Sequence, residues 1–142
     1  MSVAHVSSKV NLDFLINELG LRQERNTTIF NKGSIFVISP SVQNKYNWFD
    51  IGESIMGNYN AKEQEGYLLV RFKDKYLMAK LEPFQRKMML RSTMPNTTKL
   101  RPHWKFKVEE GANPYIINMG DSDLRYPIKM PSENQLKKFF NK

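Results

Sequence analysis

The chain has 142 residues, 40% of them hydrophobic and 12% aromatic, with 22 Lys/Arg against 14 Asp/Glu for a net charge of +8. That length suits a single basic domain, residues 1–142, with a core of its own, and the apolar content excludes a globally disordered chain. With no cysteine, disulfides, thiolate zinc sites and cysteine nucleophiles are excluded.

The first ten residues, MSVAHVSSKV, lack a basic segment followed by an apolar run, so they do not read as a secretory signal. Residues 1–8 are expected to form a flexible tail. No apolar run approaches the ~20 residues that a membrane-spanning helix needs, so a soluble, cytoplasmic protein is expected. Leu12, Leu15, Ile16 and Leu19 recur at helical spacing and predict an N-terminal helix docked on a sheet. Asn11 is its expected cap, and Gly20 its left-handed residue just past the end. The run TTIFNKGSIFVIS predicts a hairpin, Thr28–Phe30 into Ser34–Ile38, with Gly33 near the turn. A short strand is expected at Asn47–Ile51, then a loop through MGNYNAKEQE.

GYLLVRF and YLMAKL are β-rich runs flanking Lys73-Asp74-Lys75. A two-residue connection puts Leu68, Val70, Phe72, Leu77 and Ala79 on one apolar face. Tyr67, Leu69, Arg71, Tyr76, Met78 and Lys80 then share the other. A three-residue connection would mix Lys80 into the apolar set, so the two-residue register is preferred. The second face is aromatic and basic, and is expected to suit a polyanion.

Pro83 fits the first turn of a short central helix with Leu81, Phe84 and Met88 along one side and Arg86 opposite. RSTMPNTTKLRP reads as a turn-rich linker. In HWKFKV, Trp104, Phe106 and Val108 alternate with His103, Lys105 and Lys107, a strand whose polar positions are all potentially cationic. Two further strands are expected in PYIIN and RYPIKM, and Ser132 with Gln135 forms a capping box for a C-terminal helix. The fold class is therefore α+β: a mostly antiparallel sheet with an N-terminal, a short central and a C-terminal helix.

Charge is concentrated. Residues 71–107 hold eleven Lys/Arg and only Asp74 and Glu82 as acids, so this window carries +9 and the remainder −1. Such a field attracts phosphate polymers or an acidic protein. The expected function is non-catalytic binding of nucleic acid, DNA ahead of RNA. The candidate contacts are Tyr67, Arg71, Lys73, Lys75, Tyr76, Lys80, Arg86, Lys87, Arg91, Lys99, Arg101, His103, Lys105 and Lys107. Trp48 is a further candidate for base stacking, whereas Phe49 and Trp104 are assigned to the core. The alternative is a small interaction or inhibitor protein that covers an acidic partner.

Signals for catalysis are sparse. No Asp or Glu has Lys two positions on, as metal-dependent nucleases often require, and there is no phosphate-binding glycine loop or G-x-S-x-G. Two histidines cannot build a histidine-rich metal site unaided. Asp121 and Asp123 suit a hairpin turn better than Mg²⁺. No metal or cofactor is expected. HWKFKVEE, read as His103-x-Lys105-x₄-Glu110, resembles the His-x-Lys-x₄-Asp motif of phospholipase D-type nucleases. That resemblance implies a histidine nucleophile and a phosphate-binding lysine without a metal, the third functional reading. The final Glu replaces Asp, and the Gly-Ser that usually follows is missing.

Overall fold

The computed structural model of the chain describes residues 9–95 and 101–141. The expected tail at 1–8 and the candidate Lys99 lie outside the described residues. Among these are ten strands and four helices, so the α+β class holds. Helix α1 covers residues 9–18 and ends in a π turn, Phe14–Glu18. Strands β1 (Arg22–Gln23), β2 (Ile29–Lys32), β3 (Ile35–Ile38), β4 (Ser41–Val42) and β5 (Trp48–Gly52) follow, then the short α2 (Glu53–Met56). Next come β6 (Glu65–Phe72), β7 (Lys75–Lys80), α3 (Leu81–Met88), β8 (His103–Glu109), β9 (Tyr115–Asn118), β10 (Asp121–Pro127) and α4 (Glu133–Phe140).

Two sheets form instead of the one expected. In the first, β1, β2 and β3 run antiparallel and β3 pairs β6 in parallel. β4 continues along the same edge of β6, and β7 takes the opposite edge in antiparallel. The second is wholly antiparallel, in the order β10-β9-β8-β5. A single bridge, Met78 to Lys129, ties the edge of β7 to the chain following β10.

The predicted β6–β7 register is the observed one. Phe72 faces Lys75, Val70 faces Leu77 and Leu68 faces Ala79 across a two-residue turn, which opens with Lys73 at φ 55°. Leu68, Val70, Phe72 and Leu77 sink into the space between the sheets. There they meet Phe49, Ile51, Trp104, Phe106, Val108 and Ile116 of the second sheet, with Leu81, Phe84 and Met88 of α3 filling the same core. Asn118, fully buried, anchors the chain after α3 to that sheet. Its amide donates to the Met88 carbonyl at 2.7 Å and Thr93 Oγ1 at 2.9 Å, and its Oδ1 accepts from Gly120 N. Gly120 leaves no room for a Cβ, which would collide with the Thr93 carbonyl.

The other face of the first sheet is not solvated, contrary to expectation. Phe14 and Leu15 of α1, Leu19 just past its end, and Leu136 and Phe140 of α4 cover Phe30, Val37, Tyr67, Leu69 and Tyr76, forming a second core. Lys32 joins the two helix ends. Its Nζ donates to the Leu19 carbonyl (3.2 Å), the Phe140 carbonyl (2.7 Å) and Asn141 Oδ1 (3.0 Å), the contacts a cation makes at helix C-termini. The Ser132–Gln135 capping box is present as predicted.

Three details of α1 and its surroundings depart from the sequence reading. Asn11 lies inside the helix rather than capping it; its Oδ1 accepts from the buried Tyr76 hydroxyl at 2.9 Å. The π turn bonds Leu19 N to Phe14 O, five residues back, and so rotates the later residues relative to an α-helix. Phe14 therefore joins the buried stripe while Ile16 is 41% exposed. Gly20 keeps its expected left-handed role at φ 69°. The first hairpin turns at residues 33–34, later than predicted, because β2 extends through Lys32 and Gly33 takes φ 58°.

Candidate nucleic-acid interface

Strand β8 behaves as its alternation dictates. Trp104, Phe106 and Val108 are buried in the inter-sheet core, while His103, Lys105, Lys107 and Glu109 point outward and are half-buried. Pairing assembles the rest of the outer face. β5 sets Trp48 opposite Lys107, Asp50 opposite Lys105 and Gly52 opposite His103. On the far side, Ile117 faces Lys107 and Tyr115 faces Glu109, and Arg125 faces Ile117. Met119, whose amide donates to the Lys105 carbonyl at 2.9 Å, is 42% exposed. No element among the described residues packs over this face.

Aromatic rings and cations are in direct contact here. The Lys105 ammonium lies 4.1 Å from the Trp48 ring centroid, and Tyr46, 50% exposed, stacks on Trp48 at 4.5 Å with 20° between planes. The Arg125 guanidinium lies 5.4 Å from the Tyr115 ring. A cation over an aromatic face contributes about 0.5–1 kcal/mol at exposed sites. The acids are part of the same surface: Lys107 pairs with Glu109 at 3.0 Å, and His103 Nε2 is 3.8 Å from Asp50 Oδ2. Lys105, Lys107 and Arg125, with His103 beside them, stand against two carboxylates.

The remaining predicted contacts scatter. Lys73 and Lys75 are exposed at the β6–β7 turn, with Lys73 paired to Glu110 at 3.3 Å. Arg86 and Lys87 are on the solvent side of α3. Arg91 pairs with Glu53 at 2.9 Å, and Arg101 is exposed just before β8. Lys80 lines a groove of about 670 Å³ between β7, the chain after β10 and α4. The basic window therefore does not map onto one face.

Tyr67 and Tyr76 need correction as ligand contacts. They are 4% and 2% exposed, because β6 and β7 turn them under the terminal helices. Phe14 stacks on Tyr76 at 5.0 Å, and Phe139 meets Tyr67 edge-on at 5.1 Å. Burial pushes the Tyr76 phenol up to about 12, with the Arg71 cation opposing. Burial, then hydrogen bonding of its hydroxyl to Glu65, raises Tyr67 as well. Arg71 lies over the Tyr76 ring at 4.8 Å, on the helix-covered face.

The nuclease-like motif does not gather. His103 Nδ1 donates to the Arg101 carbonyl at 3.0 Å, Lys105 lies on Trp48, and Glu110 is held by Lys73. Seven residues of extended chain, about 23 Å, separate His103 from Glu110. Asp121 and Asp123 lie in the bulged part of the β9–β10 hairpin. Among the described residues no group of three or more His, Asp or Glu could hold a metal, and no helix is long and apolar enough to cross a membrane.

Tyr46, Tyr115, Met119 and Arg125 escaped the sequence reading. The available signal was the strict alternation of β8, which demands paired strands carrying outward residues of their own. Compared with known proteins, the chain matches no family model, no curated protein and no solved structure.

Proposed function

We propose that the chain is a non-catalytic nucleic-acid-binding domain and that the outer face of the β10-β9-β8-β5 sheet is its contact surface. The observation that carries this reading is the uncovered set of aromatic–cation contacts, Lys105 on Trp48 and Arg125 on Tyr115. Aromatic faces supply stacking, about 1–3 kcal/mol per base, and the cations supply phosphate attraction. The chain's net charge of +8 adds long-range steering toward a polyanion. DNA is the first polymer to test. Binding measured by fluorescence anisotropy should weaken steeply with salt, each neutralised phosphate adding about −0.9 to the log–log slope on duplex and −0.7 on single strands.

A second reading, docking of an acidic protein, draws on Met119 and Ile117, apolar side chains set among the same cations. Absence of binding to every nucleic acid at low salt would transfer the face to that partner. The nuclease reading has its own test. Metal-independent cleavage of labelled DNA or RNA in EDTA that disappears in His103→Ala would replace binding with catalysis.

A further inference from the structure

We infer that the polymer taken by this face is single-stranded, and that Lys105 is a displaceable cover which a base exchanges for its own ring on Trp48. The inference rests on the nucleic-acid reading above and specifies its ligand.

The geometry of the face favours a single strand. The bases of a duplex are already stacked on one another, so exposed rings on a sheet find nothing to stack against. Duplex sequence is read in a major groove about 12 Å wide that admits a helix or a two-stranded ribbon. No described element rises from this face to enter one. Trp48 and Tyr115 are two strands apart and two residues offset along the strands. Strand spacings then separate their backbones by roughly 12 Å. A single strand with splayed bases can meet both rings along one path, with Lys105, Lys107 and Arg125 between and beside them.

Among the described residues, the side chains lying on the Trp48 ring are those of Lys105 and Tyr46, and both can leave. Tyr46 is 50% exposed, and among the described residues the Lys105 ammonium has the Trp48 ring as its contact, with no hydrogen bond or ion pair to another of them. Stacking of a base is worth more than the exposed cation contact it replaces. The displaced ammonium gains a phosphate of the same strand, so one movement exchanges a weak contact for two stronger ones. Asp50, directly opposite Lys105, repels phosphate and gives the ammonium reason to remain over the face.

The protein has two tryptophans, and this permits a direct test. Trp104 is 7% exposed, with its indole N–H donated to the Leu90 carbonyl, so Trp48 is the ring that a ligand can reach. The full chain, and a Trp104→Phe variant that leaves Trp48 as sole reporter, are titrated with oligo-dT, oligo-rU and a duplex of equal length at fixed salt. Single strands should quench Trp48 emission saturably and bind at least about tenfold more tightly than the duplex, the scale of one stacked base. Trp48→Ala should cost single-strand affinity roughly tenfold or more and lower duplex affinity by a smaller factor. Lys105→Met should reduce the single-strand salt slope by about 0.7 while the quenching persists. Should Trp104→Phe fail to fold, anisotropy with the parent protein and Trp48→Ala carries the same comparison. Equal or tighter duplex binding, or unchanged single-strand affinity in Trp48→Ala, overturns the single-strand inference while nucleic-acid binding stands. Failure to bind any of the three polymers at low salt overturns both.

Discussion

The β6–β7 hairpin and strand β8 carry similar patterns and meet opposite fates. Each has an apolar face turned into the core between the sheets, and each has a second face of aromatic or basic character. In the hairpin that second face is roofed by α1 and α4 and becomes a core of its own. In the β8 sheet it stays open, with Lys105 resting on Trp48. The distinguishing feature is Leu69. It stands among the outward residues of β6, yet it is fully buried, and with it GYLLV is a continuous apolar run. Such runs mark strands covered on both faces, whereas the strict alternation of HWKFKV marks a strand covered on one. A cationic or aromatic side chain is therefore informative about binding only after its strand is known to have a free face.

The contrast can be broken most forcefully by removing the roof. Leu136→Ala, in α4 at 1% exposure, should destabilise the protein by about 2–5 kcal/mol in urea unfolding, the range for a buried leucine. Ile117→Ala on the open face should cost less than about 1 kcal/mol. Similar losses at the two positions would show that both faces are covered.

Alkaline pH tests the same roof through its tyrosines. The Tyr76 phenol is held up to about 12 against its ordinary value of 10.0. Above pH 10 the unfolded chain releases this proton while the folded chain keeps it. Stability is therefore full below pH 10 and falls as pH rises toward 12, by roughly 1.4 kcal/mol per pH unit for one such group. Tyr67 shifts in the same direction and steepens the fall. Urea midpoints measured across this window should drop, and a flat profile would mean that these rings are solvated in the folded protein.

Lys32→Met should cost about 1–3 kcal/mol, since it removes a charged donor from the ends of both covering helices. The loss is measured by urea unfolding and should appear without any change in the affinity of the β8 face. The smallest effects belong to α3. Arg86→Ala and Lys87→Ala should alter stability by no more than about 0.5 kcal/mol and leave the salt dependence of nucleic-acid binding unchanged. Arg125→Ala, on the open face, should lower the single-strand slope by about 0.7. A larger slope change from the α3 pair would move the interface to the helix.

Much of the local structure was legible in the residues. The apolar alternation set the β6–β7 register, because slipping by one residue would have driven Lys80 into the core. Pro83 and the Leu81, Phe84 and Met88 spacing located α3, and Ser132 with Gln135 located the start of α4. The Trp104, Phe106 and Val108 alternation named the inner face of β8. These are interactions between near neighbours, in which chain geometry alone decides which side chains can share a face.

Tertiary structure decided what each remaining face meets. The division into two sheets, the parallel joining of β3 and β4 to β6, and the burial of Tyr67 and Tyr76 all depend on contacts between distant segments. So does the meeting of Trp48 with Lys105, which are 57 residues apart in the chain and become neighbours only through β5–β8 pairing. Alternation determines that a strand has an inside and an outside. Whether that outside becomes a second core or a binding surface is decided by which distant helix has an apolar stripe left to bury against it.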